Sequence, residues 1–158
     1  MIVQHKLKFY CLYNFLHFMK KNVYFVAFDI GTKNIGIAIS HYRIKIVHPI
    51  GVFKIFNGKP NWLIIQKFFN EWKFLKIIIG LPLNMNGTEQ PFTLQVRNFS
   101  HQIQNRFSYP IIFHDERLST FEAKSRLKNN NFCFIKKDNV DALSAAVILE
   151  SWLYQQQK

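Results

Sequence analysis

The sequence predicts an α/β domain, a five-stranded mixed sheet with helices packed on it, and three observations carry that expectation. Five short apolar runs have the length and composition of strands: residues 23–28, 35–39, 52–56, 77–79 and 110–113. Two stretches between the later runs, and a third near the C-terminus, repeat apolar residues at helical spacing. The first three strands follow one another closely, as in antiparallel hairpins, whereas the later ones alternate with helices, as in β-α-β crossovers. At 158 residues the chain suits one domain with a real core. A composition of 49% hydrophobic and 19% charged residues excludes a disordered chain.

Residues 1–18, MIVQHKLKFYCLYNFLHF, set Lys6 and Lys8 before an apolar run and so imitate a signal peptide. No small-residue cleavage site follows, and Asn14 and His17 break a run already too short to span a bilayer. The expectation is therefore an N-terminal extension, disordered or an upstream over-reading of the start codon, with the domain proper at 19–158. The first strand, VYFVAF, reads as buried on both faces and ends in Asp29. Gly31 and Gly36 flank the turn into its hairpin partner at 35–39. After His48-Pro49 comes a third strand at 52–56, closed by the turn Asn57-Gly58-Lys59-Pro60.

Trp62, Ile65, Phe68, Phe69 and Trp72 mark one face of a helix over 61–73, and an aromatic stripe at that spacing belongs to the core rather than to a base-stacking platform. Ile77, Ile78 and Ile79 read as a central parallel strand ending at Gly80. A polar loop from Leu81 to Pro91 follows, with Thr88 expected to cap a helix over 92–107 that buries Leu94, Val96, Phe99, Ile103 and Phe107. The last strand, Pro110 to Phe113, runs into His114-Asp115-Glu116-Arg117. Ser119 or Thr120 is expected to cap a helix through Leu127, assisted by Glu122, and Asn129-Asn130-Asn131 a mobile loop. A final helix over 139–154 turns Val140, Leu143, Ala146, Val147 and Leu149 inward and carries Asp141 in its first turn.

The chain holds 21 Lys and Arg against 9 Asp and Glu, a net charge of +12, so its partner is acidic; nucleic acid is the commonest such partner. The many Phe, Lys, Asn and Ile also reflect what AT-rich codons produce, which accounts for part of the excess. Cys11 and Cys133 stand far apart, with no C-x-x-C and no His at zinc spacing, so neither a zinc site nor a disulfide is indicated and a reducing, cytoplasmic setting follows.

Against this basic background the few acids are informative. A carboxylate ending a buried strand costs several kcal/mol to desolvate unless a cation or strong donors meet it. Asp29 ends the first strand, Asp115 and Glu116 end the last, and Asp141 opens the terminal helix, positions that a mixed sheet brings together. Taken singly, each has a plain structural role. Asp29 can cap its own turn, Asp141 gains about 0.3–1 kcal/mol from a helix N-terminus, and Asp115 and Glu116 can pair with Arg117 or Lys124. Taken jointly they are oxygen ligands with no accompanying Cys or His set, which selects Mg²⁺ or Mn²⁺ over zinc. Two such ions about 4 Å apart activate water and stabilise a leaving oxygen in phosphodiester hydrolysis.

The stretches AFDIGTKNIGIAIS, IIIGLPLNMNGTEQP, FHDERLSTFEA and NVDALSAAVILESWL resemble the four signature blocks of the YqgF/RuvX family, the pre-16S rRNA nucleases once described as Holliday junction resolvase homologues. The resemblance runs from about Met19 to Leu153. It implies an RNase H-like fold, a cytoplasmic location, a Mg²⁺- or Mn²⁺-dependent nuclease that matures the 5′ end of 16S rRNA, and pre-16S rRNA or a pre-ribosomal particle as partner, with no membrane and a monomeric or homodimeric state. Residue by residue, it makes Asp29, Glu116 and Asp141 the catalytic and metal-binding acids, with Asp115 a weaker candidate. In the resolvases proper the second acid ends the fourth strand; here that strand ends in Gly80-Leu81-Pro82, so Glu116 must serve from the neighbouring strand. Lys33, Arg117 and Lys137 are candidate phosphate contacts, and Asn84 and Asn86 lie in the loop that would position the strand.

Three other functions stay open at this level. A DNA junction resolvase requires a symmetric dimer and paired incisions. A non-catalytic assembly factor would grip RNA with steep salt dependence and no cleavage. A sugar-kinase-like phosphate binder also uses a D-x-G hairpin, but the chain is short for two lobes and shows no second phosphate loop.

Overall fold

The computed structural model describes residues 23–118 and 140–157. The expectations for residues 1–18, for the helix capped by Ser119 or Thr120, for the Asn129-Asn130-Asn131 loop and for Lys137 lie outside them. The described chain runs β1 (Val23–Ile30), β2 (Asn34–His41), β3 (Val47–Phe56), β4 (Lys59–Pro60), α1 (Trp62–Glu71), β5 (Lys73–Leu81), α2 (Pro91–Phe107), β6 (Ile111–Asp115), a 3₁₀ turn (Glu116–Leu118) and α3 (Val140–Gln155).

The strands form one mixed sheet in the order β4-β3-β2-β1-β5-β6. β1 pairs antiparallel with β2, β2 antiparallel with β3, and β1 parallel with β5, which in turn pairs parallel with β6. The sixth strand is the departure from expectation. Asn57 and Gly58 both take positive φ, 49° and 72°, the geometry of a two-residue hairpin turn, so Lys59 and Pro60 come back to pair with Phe56 and Ile55. β3 also starts earlier than expected, at Val47, because His48 and Pro49 register against Ile39 and Ala38.

Alternation along β1 divides its side chains between two cores. Tyr24, Val26, Phe28 and Ile30 pack with Ile65 and Phe69 of α1 and with Val96, Phe99 and Ile103 of α2. Phe25 and Ala27 face the other way, against Ala145, Ala146, Ile148, Leu149, Trp152 and Leu153 of α3. The first strand is thus buried on both faces, as its composition requires. Trp62, Phe68 and Trp72 are partly buried at the rim of the first core.

Two inward assignments fail. Leu94 and Val140 are 61% and 65% exposed, because each lies in the first turn of its helix, where the backbone is only beginning to meet the sheet. The α2 cap differs too. Gln90 holds that position, its backbone N–H donating to the Thr93 hydroxyl at 3.1 Å, while Thr88 is drawn into the loop by Asn84 and Asn86.

Candidate active site

Asp29 follows Ala27 by two residues and so faces α3, not the larger aromatic core. Four sheet positions on that side are small: Ala27 on β1, Gly36 and Ala38 on β2, and Gly80 on β5. Their smallness sets how near the acids come. A Cβ built on Gly36 would lie 1.9 Å from the Asp141 carbonyl oxygen, so only glycine lets the first turn of α3 rest on β2. Gly36 is also the cross-strand partner of Asp29. At the end of β5, a Cβ on Gly80 would lie 2.6 Å from Glu116 Oε1. The strand that carries no acid thus leaves room for the carboxylate supplied from beyond β6.

The electrostatics follow from this placement. Burial, reinforced by the neighbouring Asp141 charge, pushes the Asp29 carboxyl up to about 6, against which the Ser144 hydroxyl donates to it. Asp141 and Ser144 stand three apart on one face of α3, so one turn of helix supplies both. Burial raises Glu116 to about 7, with the charges of Asp29 and then Asp115 adding to it. Asp29 is therefore the common neighbour of two acids from separate elements.

A second layer holds Asp141. Asn34, the first residue of β2, donates from Nδ2 to Asp141 Oδ2 at 2.6 Å, and Lys54 Nζ donates to Asn34 Oδ1 at 3.0 Å. Reading the sequence for apolar runs missed Asn34, Lys54 and Ser144. The available signal was the alternation Asn34, Gly36, Ala38, Ser40, a small and polar face opposite Ile35, Ile37 and Ile39.

The remaining candidates are placed as follows. Asp115 is gripped by Arg117, whose Nη2 lies 2.6 Å from Oδ2, and this guanidinium holds the carboxyl below its ordinary range. Arg117 Nη1 also donates to the Met85 carbonyl at 3.0 Å, tying the 84–88 loop to the end of β6. Asn84 donates to the Thr88 hydroxyl at 2.9 Å, and Asn86 accepts from the Thr88 amide and hydroxyl, so both brace that loop from within. Lys33 is exposed in the β1–β2 turn, its carbonyl accepting from the Ile55 amide.

The donor chemistry fits a hard divalent cation: oxygen ligands whose burial and mutual repulsion a positive ion would relieve. Among the described residues, no three His, Cys, Asp or Glu side chains are gathered closely enough to hold an ion as they stand. Asp29 is the acid whose charge environment is shared with both Asp141 and Glu116, so any such group would centre on it. Among the described residues, no helix is long and apolar enough to cross a membrane.

A family model described as RuvX, Holliday junction resolvase, matches residues 23–155. A protein of Klebsiella pneumoniae (strain 342) named "Putative pre-16S rRNA nuclease" is 46% identical over 132 residues, covering 83% of this chain and 96% of that protein. One of the same name from Sodalis glossinidius is 44% identical over 131 residues, covering 82% and 93%. Among solved structures, Thermus RuvC, described as "T. thermophilus RuvC in complex with Holliday junction substrate", superposes with a TM-score of 0.56 at 7% identity, covering 85% of this chain and 95% of that one. That likeness shows the fold, which is RNase H-like, with one short strand beyond the expected five. Agreement with the family model over residues 23–155, and with relatives above 40% identity over more than four-fifths of the chain, establishes that the chain belongs to the RuvX family of nucleases.

Proposed function

We propose that this protein is a divalent-cation-dependent nuclease that hydrolyses phosphodiester bonds at the 5′ end of pre-16S rRNA, within a pre-ribosomal particle in the cytoplasm. The observation that carries the reading is Asp29, a half-buried acid whose carboxyl is raised by burial and then by Asp141, and whose charge in turn adds to the raised Glu116. Asp29, Glu116 and Asp141 are the residues that would hold Mg²⁺ or Mn²⁺. When bound, the cation supplies positive charge at the scissile phosphate and lowers the pKa of its water.

The chain's own residues do the rest. Ser144 fixes the orientation of Asp29, and Asn34 fixes that of Asp141. Glu116, raised to about 7 by burial and then by the charges of Asp29 and Asp115, is partly protonated near neutral pH and would give up that proton to hold a cation. Exposed Lys33, next to Asn34 in the β1–β2 turn, would meet a phosphate, and a net charge of +12 draws the nucleic acid in. The choice of pre-16S rRNA is supported by the names of the relatives.

The family description favours a second substrate, the DNA four-way junction. Purified protein incubated in Mg²⁺ with labelled rRNA precursor and with labelled junctions separates the two. Precursor is expected to be cut and junctions spared. Asp29→Asn is expected to reduce cleavage to background while RNA binding stays equal or tightens, since the substitution removes a negative charge; undiminished cleavage by this variant refutes the assignment.

A further inference from the structure

Asn34 and Lys54 sit directly opposite each other in the β2–β3 ladder, on the side of the sheet that α3 covers. A lysine ammonium only donates and a carboxylate only accepts, so the amide between them has one possible orientation: oxygen to Lys54, nitrogen to Asp141. The bond from the cation also polarises the amide and strengthens its donation on the far side. Cross-strand neighbours have Cβ atoms about 5 Å apart, so the Lys54–Asn34 bond forms without displacing either strand.

We propose that Lys54 and Asn34 form a positioning relay in which Lys54 orients the Asn34 amide and the amide anchors one oxygen of Asp141 for cation binding. The inference rests on the nuclease reading and deepens it. Lys54 then acts through Asn34 and not as a phosphate clamp, and Asn34 is a positioning residue that touches neither substrate nor reacting atoms.

The test is Mn²⁺ binding to the RNA-free protein, followed by electron paramagnetic resonance of the free ion, beside kcat and KM for rRNA cleavage. Asn34→Ala and the near-isosteric Asn34→Leu are each expected to weaken Mn²⁺ binding about 10-fold and to lower kcat with KM unchanged. Asn34→Gln, which keeps both donor and acceptor, is expected to retain more affinity than either. Lys54→Met should give a smaller loss in the same direction, and the double variant Asn34→Ala with Lys54→Met should be no worse than Asn34→Ala alone. Wild-type Mn²⁺ affinity in both Asn34→Ala and Asn34→Leu overturns the relay alone. So does a Lys54→Met variant whose KM rises with Mn²⁺ affinity untouched, or a double variant in which the losses add. Absence of Mn²⁺ binding in the wild type overturns the relay and the nuclease reading together.

Discussion

Asp29 and Glu116 hold carboxyl groups in a place that penalises their charge, and this has a thermodynamic signature. Their folded values, about 6 and about 7, lie above the ordinary 3.8 and 4.5. A raised acid binds its proton more tightly in the folded state, so the stability it contributes is complete below its ordinary value and is lost as pH rises through the folded one. Metal-free protein is therefore expected to melt at progressively lower temperature from about pH 4 to about pH 8. Asp115 has the opposite sign, because Arg117 lowers it; its contribution is lost only in acid, below that window. Asp29→Asn and Glu116→Gln should each flatten the neutral-range decline and raise the metal-free melting temperature at pH 8. Mg²⁺ should stabilise the wild type more at pH 8 than at pH 5. Calorimetry across that range checks this, and a profile indifferent to both substitutions would contradict the burial of the two acids.

The elements bring the acids together through what they lack. Gly36 and Gly80 are notches in β2 and β5, but they face different obstacles. At Gly36 a Cβ would meet main chain, the Asp141 carbonyl at 1.9 Å, which cannot step aside without moving α3. At Gly80 it would meet Ile148 Cδ1 at 2.5 Å and Glu116 Oε1 at 2.6 Å, ends of side chains that can rotate. Gly36→Ala is therefore expected to cost more than about 3 kcal/mol, and Gly80→Ala about 1–3 kcal/mol. The second variant should fold yet lose most of its cleavage, because relieving the overlap swings the Glu116 carboxylate away from Asp29. Denaturant titration and cleavage assays together test the pair; equal stability losses would mean that α3 sits less tightly than the close approach at Gly36 requires.

The whole molecule carries charge far in excess of what its site needs. At +12, RNA binding is expected to weaken steeply with salt, the slope of log affinity against log salt counting the phosphates neutralised. Lys33→Met should reduce that slope by about 0.7 for a single-stranded contact, and should do so without altering Mn²⁺ affinity. Filter binding at several salt concentrations measures it, and an unchanged slope would remove Lys33 from the RNA path.

The sequence by itself determined the alternation of strands and helices, the burial of the first strand on both faces and the turn at Asn57-Gly58, because apolar periodicity and turn chemistry are local properties of the chain. The four signature blocks likewise pointed to the family before any coordinate. Tertiary structure decided what those patterns leave degenerate. The loop polarity that marks Asn84 and Asn86 as candidate substrate contacts also braces a turn, and the arginine that is a candidate phosphate contact also meets Asp115 and the Met85 carbonyl. Asn34 and Lys54 gain their meaning only when β2, β3 and α3 are assembled, since a hydrogen bond between residues 107 positions apart has no periodicity to announce it.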